Sequence, residues 1–134
     1  DWHRDSVLGP ERASRISPAA SALKRGMPFT QHHDAPVALP SSIMILFSQV
    51  NRVTRSGEVL GPEQRVSAMD AIKSITINAA YQYFEERTKG SLEPGKLADF
   101  VILDRNPLTV DPMTIKDIKV VETIKEGKTI YSAR

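Results

Sequence analysis

The sequence predicts a mixed α/β chain, helical in its first part with one embedded strand and β-rich toward its end. Three features predict it. Ile43, Phe47 and Val50 recur at i, i+4 and i+7 behind a serine pair, which is the stripe of an amphipathic helix. Phe100-Val101-Ile102-Leu103 is a continuous apolar run ended by Asn106-Pro107, which reads as a strand. Ile118 to Ile124 and Thr129 to Tyr131 face each other across Lys125-Glu126-Gly127-Lys128, a hairpin signal in which glycine supplies positive φ.

Taken in order, the opening through Leu8-Gly9-Pro10 reads as irregular, and Pro10 opens a short helix containing Glu11 to Arg15. Ser17-Pro18 marks the next start, with serine as cap and proline at the first helical position. That helix holds Ala19 to Arg25 and is stopped by Gly26, with Lys24 and Arg25 in the last turn where the helix dipole favours cations. Phe29 to His33 follows as a short strand, ended by Asp34-Ala35-Pro36. Ser41 or Ser42 caps a helix from Ile43 to about Val53, and Met44, Ile45 and Leu46 widen its apolar surface. Gly57 and Gly61-Pro62 lie in an irregular link. Ser67 and Asp70 form a capping-box pattern ahead of a helix from Ala68 to Ile75. Thr76 to Tyr83 makes another, with Ala79 and Ala80 permitting close packing. Gly90 and Pro94-Gly95 open the β-rich part, where Lys96 and Asp99 are placed to pair, and Pro112 to Lys116 makes one helical turn. The organisation expected is a first segment over 1–89 and a β-rich segment over 90–134.

The 134 residues suffice for one ordinary domain with a core of its own. The absence of cysteine excludes a disulfide framework and thiolate chemistry. It fits a reducing compartment, and a cytoplasmic location is the expectation. A formal net charge of +2, with acids and bases interleaved, argues against a nucleic-acid partner, which would need clustered base. Ile43 to Phe47, the longest strongly apolar run, is far short of the ~20 residues of a membrane span, so no membrane partner is expected. The start, Asp1-Trp2-His3-Arg4, has neither an apolar signal region nor an initiator methionine, so the expectation is a chain that begins inside something longer or has been processed.

The chemistry concentrates at His32-His33-Asp34. Helix, glycine, then a short run ending in polar groups is an αβ unit, and the C-terminal end of such a strand is where α/β folds hold ligands. Asp34 reads in two ways. It is a general acid/base carboxylate, or it is a turn aspartate whose side chain accepts nearby backbone N–H groups. His32 shares a strand face with Asp34, whereas His33 points the other way. Gly90 to Lys96 lacks the spacing of a phosphate loop and has no helix after it, so its work is structural.

Several segments together resemble the amidohydrolase-3 group of the metal-dependent amidohydrolase superfamily. They are Leu8-Gly9-Pro10-Glu11-Arg12-Ala13, Ile16-Ser17-Pro18 and Gly26-Met27-Pro28-Phe29-Thr30; His32-His33-Asp34-Ala35-Pro36-Val37; and Gly90-Ser91-Leu92-Glu93-Pro94-Gly95-Lys96-Leu97-Ala98-Asp99-Phe100-Val101-Ile102-Leu103-Asp104. The resemblance implies a C-terminal fragment of a (β/α)8 metal-dependent hydrolase barrel plus a small sheet from a composite β-sandwich. Phe29 to His33 would be barrel strand 8, and Ile43 to about Tyr83 the helices after it. It implies hydrolysis of a C–N bond in a small-molecule amide or cyclic amide. A divalent metal, with zinc the expected ion, would serve the complete enzyme, and none need be held by this fragment. Asp34 would be a metal ligand and the general base and acid. His32 would orient it, and His3 would lie on the substrate side. A (β/α)8 barrel takes ~250 residues, and the family's His-x-His, bridging ligand and two later histidines are absent from this sequence. The isolated chain is therefore expected to be inactive and, with a bare strand and a bare helix face, to form a homo-oligomer. The alternative is a non-catalytic module acting through self-association or partner binding.

Overall fold

The structure, a computed structural model, describes residues 1–133, so Arg134, the last residue of the expected second segment, lies outside it. The opening is helical rather than irregular. A π-helical turn, His3–Leu8, runs into α1, Gly9–Ala13, which has Pro10 in its first turn. α2 is Ala19–Lys24. Ser17 does not cap it: its backbone has φ 51 and its side chain makes no capping bond, while its carbonyl accepts the Ala19 N–H. Gly26, at φ 67, ends α2 as expected, with its own N–H and that of Met27 donating to the carbonyls of Leu23 and Ala22.

α3, Ser42–Asn51, begins where Ser41 Oγ accepts the Met44 N–H at 3.2 Å. It ends two residues earlier than Val53, because Arg52 turns left-handed at φ 54. α4, Ala68–Ile75, carries its expected cap, with Ser67 Oγ accepting the Asp70 N–H and donating to its carboxylate. α5, Ile77–Gln82, ends in a Schellman arrangement: Phe84 and Glu85 N–H donate to the carbonyls of Tyr81 and Ala80. The left-handed position, which normally takes glycine, is filled by Phe84 at φ 61.

The core lies between α3, α4 and the 3-10 turn Pro112–Asp117. Leu46, Ala71, Ile115 and Ile118 are its centre, with Phe47 beside them. Fully burying a Leu, Ile or Phe side chain contributes ~1.5–3 kcal/mol, so this cluster dominates the local stability. The stripe expected to lie bare is therefore covered. Phe47 is buried, and Ile43 and Val50 pack against the same cluster, because the 3-10 turn folds back over α3. A polar pair crosses this core: Gln49 Nε2 donates to Ser74 Oγ at 3.0 Å, and the Ser74 hydroxyl donates to the Ala71 carbonyl at 2.7 Å, so both buried side chains are partnered.

The β-rich end is one antiparallel sheet in the order β1-β2-β3, with β1 at Phe100–Leu103, β2 at Val120–Lys125 and β3 at Lys128–Ser132. Ile118 belongs to the core, so β2 starts two residues later than the apolar run suggests. Glu126 and Gly127 both have positive φ, which matches the right-handed strand twist across a two-residue loop. Asp99 does not pair with Lys96. Its carboxylate accepts the Glu126 N–H at 2.7 Å, pinning that loop, and Lys96 instead turns to Ser91 and Glu93.

Candidate functional site

The site is the run between α2 and α3, and it departs most from the sequence reading. Among the described residues, Phe29 to His33 forms no strand. A strand exists only by pairing its N–H and C=O groups with a neighbour, and the sheet of this chain lies elsewhere. Two side-chain bonds from α5 take over. Asn78 Nδ2 donates to the Phe29 carbonyl at 2.9 Å, and Thr30 Oγ1 donates to Gln82 Oε1 at 2.8 Å. The Phe29 ring packs against the core.

Beyond Thr30 the chain turns outward. Asp34 sits left-handed at φ 57, a conformation aspartate tolerates better than most residues. Its N–H donates to Nδ1 of His32 at 3.0 Å, and its carbonyl accepts the Val37 N–H at 2.7 Å across a cis Ala35–Pro36 bond. The His32–Asp34 hydrogen bond thus runs to the Asp34 backbone N–H and not to the carboxylate. The Asp34 side chain is exposed, and its carboxylate makes no hydrogen bond or ion pair among the described residues.

His32 and His33 line an open groove of about 700 Å³ along one side of α3, with Ser41, Met44, Gln49 and Arg52. Asp34 lies at its edge in sequence but is not part of its wall. His3 is not brought to the groove: it lies on the exposed N-terminal turn, edge-on to Trp2 with ring centres 5.0 Å apart. Arg52 is the half-buried cation of the wall. Burial holds its guanidinium below the usual value, with Glu63 partly offsetting the effect. Its donors are spent on protein carbonyls: Nε on Leu60 at 2.7 Å, Nη1 on Ser17 at 3.1 Å, and Nη2 on Ile16 at 2.7 Å and Ser14 at 3.4 Å. It clamps three stretches of chain together and is not presented to a ligand.

A metal does not fit this set of donors. Among the described residues no three of His, Asp and Glu gather as ligands. His32, His33 and Asp34 follow one another in sequence but do not gather about one point, so the three or four protein ligands of a zinc site are not assembled among the described residues. Sequence reasoning missed Arg52, Asn78 and Gln82. The signal for the last two was a pair of amides at i, i+4 in a helix otherwise made of small and apolar residues.

The fold has a solved counterpart. The chain is similar to the crystal structure of enamidase, described as a member of the amidohydrolase superfamily, with a TM-score of 0.64 and 18% identity over 92% of this chain and 31% of that one. Sequence comparison then settles the family: the model of the amidohydrolase family matches residues 1–131, and the chain belongs to that family. It is 30% identical to N-substituted formamide deformylase of Arthrobacter pascens, over 87% of this chain and 22% of that protein. It is 37% identical to Protein LONG AFTER FAR-RED 3 of Arabidopsis thaliana, over 95% of this chain and 22% of that protein. The chain thus spans about a fifth of the length of these curated relatives. Among the described residues no helix is long and apolar enough to cross a membrane.

Proposed function

We propose that this chain is the C-terminal part of a metal-dependent hydrolase of C–N bonds, acting on a small-molecule amide or cyclic amide, and that Asp34 is its general base and acid. Asp34 takes a proton from the attacking water and returns it to the departing nitrogen, so that neither hydroxide nor an amide anion is released. One observation carries the reading. A turn aspartate would spend its carboxylate on nearby N–H groups, but here His32 Nδ1 and the Val37 N–H satisfy the turn and the carboxylate of Asp34 is left uncommitted. Family membership and the name of the Arthrobacter relative support C–N bond chemistry.

On this reading residues 1–89 come from the end of a (β/α)8 barrel. Phe29 to His33 becomes its eighth strand once its neighbours are present, and residues 90–134 return to a small sandwich. The divalent metal, zinc by expectation, belongs to the complete protein, whose remaining length supplies the other ligands and to which Asp34 adds one. His3 keeps a substrate-side role only if the missing part of the protein brings substrate to the N-terminal turn. Self-association of the isolated chain rests now on exposed apolar side chains such as Leu39 and Phe84, not on the stripe of α3, which is covered.

The test is Asp34→Asn in the full-length enzyme. Positioned acid–base groups contribute ~10²–10⁴-fold, so kcat should fall at least a hundredfold with the circular dichroism spectrum unchanged. Retention of more than about a tenth of the parent rate would refute the role.

A further inference from the structure

We propose that Val37 and Leu39 form an apolar wall for the group carried on the substrate's nitrogen, so that the amide hydrolysed is a secondary amide with an apolar nitrogen substituent. The inference rests on the acid–base reading of Asp34 and names the substrate class of that site. The six consecutive residues Ala35-Pro36-Val37-Ala38-Leu39-Pro40 carry no polar atom in any side chain. Surface connections are normally written in Gly, Asn, Asp and Ser as well as Pro. This one holds its two large side chains outward: Val37 is 74% exposed and Leu39 is 88% exposed. Ala38 between them is half-buried, so the loop lies against the body of the chain and turns those two away from it.

The loop is tied at both ends by local bonds. At its start the Asp34 carbonyl accepts the Val37 N–H at 2.7 Å. At its end Ser41 Oγ accepts the Met44 N–H at 3.2 Å and opens α3, whose Leu46 and Phe47 are buried in the core. Pro36 and Pro40 fix φ at two positions between these ties. Pairing of Phe29 to His33 as a barrel strand engages backbone that precedes Asp34, so it leaves the Asp34–Val37 bond untouched. In the complete protein the loop then follows the C-terminal end of that strand, the face on which barrels hold their substrates. Asp34 returns its proton to the departing nitrogen, so that nitrogen lies within hydrogen-bond reach of the carboxylate. The group on the nitrogen is therefore the part of the substrate nearest the loop that Asp34 begins, whereas the acyl group hangs from the carbonyl carbon. An apolar wall whose conformation is set in advance binds an apolar group with little ordering cost. A charged group there would lose its water and gain no partner.

The test uses the full-length enzyme and two sets of amides. One set varies the nitrogen substituent of a formamide through methyl, butyl and benzyl. The other keeps benzylamine as the leaving group and varies the acyl group through formyl, acetyl and butyryl. The parent should prefer N-butyl and N-benzyl to N-methyl by roughly tenfold or more in kcat/KM, since one methylene in an apolar site is worth ~10–200-fold. Leu39→Ala and Val37→Ala should each reduce that preference by about tenfold, mainly through KM, because the contact is made in the bound substrate and the transition state alike. Leu39→Met, which conserves volume, should retain it. The order within the acyl set should stay the same in every variant. An unchanged nitrogen preference in both alanine variants overturns the proposal, and a lowered thermal midpoint beside it would show that the loop packs against the rest of the protein instead. A change confined to the acyl set also overturns it. A parent inactive on every member overturns the substrate class and leaves Asp34 to be tested on cyclic amides. Asp34→Asn separates the two readings. If it is inactive while the alanine variants keep the parent's preference, the wall is wrong and the acid–base role stands. If Asp34→Asn is active, the catalytic reading has failed and this inference falls with it.

Discussion

Replacing Arg52 by alanine should destabilise the chain more than any other single exposed or half-buried charge change. The guanidinium donates to the carbonyls of Leu60 and Ile16 at 2.7 Å each, to Ser17 at 3.1 Å and weakly to Ser14 at 3.4 Å. Water can replace it at exposed Ser17, but the Ile16 and Leu60 bonds are partly buried. Hydrogen bonds to a charged group contribute ~1.5–3 kcal/mol net, which gives ~3–6 kcal/mol for two. The burial that depresses the guanidinium's pKa is relieved in the variant and offsets part of that, so about 3 kcal/mol is expected. With a urea m-value of ~1–3 kcal/mol/M, the unfolding midpoint of the 134-residue chain, followed by circular dichroism, should fall by about 1–3 M. Arg52→Lys should recover less than half, since a lysine ammonium cannot span carbonyls arranged around a planar fork. Gly61→Ala offers an independent cut at the same contact, because its Cβ would lie 2.0 Å from the Ser14 carbonyl oxygen. The two changes together should cost less than their sum. A loss below about 0.5 kcal/mol for Arg52→Ala, or full additivity with Gly61→Ala, would refute the clamp.

Phe84→Gly should stabilise the chain by about 1 kcal/mol in the same assay, since the left-handed backbone strains a phenylalanine that is 91% exposed and has little packing to lose. Glu93 has its carboxyl held below the usual range first by the Ser91 hydroxyl and then by Lys96. Its contribution is therefore present above the ordinary glutamate value and lost as pH falls through the depressed one, so the small midpoint gap between parent and Glu93→Gln should close as pH falls below the ordinary glutamate value. The purified 134-residue chain should hydrolyse no amide, with or without added zinc. Turnover abolished both by a chelator and by Asp34→Ala would contradict the incomplete donor set.

Much of the secondary structure was legible because it is decided locally. A serine hydroxyl one residue ahead of an apolar helix caps α3, Ser67 and Asp70 cap α4, and Gly26 ends α2, each through bonds spanning five residues or fewer. The same local logic misread Ser17. Its carbonyl and backbone are drawn into the Arg52 clamp 35 residues away, and a cap cannot be inferred where a distant side chain sets φ. Asp34 was legible as a carboxylate in a motif, but the bonds of its turn were not, because they depend on which neighbour reaches the turn.

From the sequence alone come the helices, the hairpin, the cysteine-free composition and the His-His-Asp motif, all written in short-range periodicity, capping and turn chemistry. Tertiary structure decided the rest. The 3-10 turn at Pro112–Asp117 covers the α3 stripe, Arg52 ties residues 14–17 and Leu60 to the end of α3, and Asn78 with Gln82 holds the start of the run before Asp34, which pairs with no strand among the described residues. The reason is the same in each case: a buried apolar face and an unpaired carbonyl both demand a partner, but which distant residue supplies it is settled only when the chain has folded back on itself.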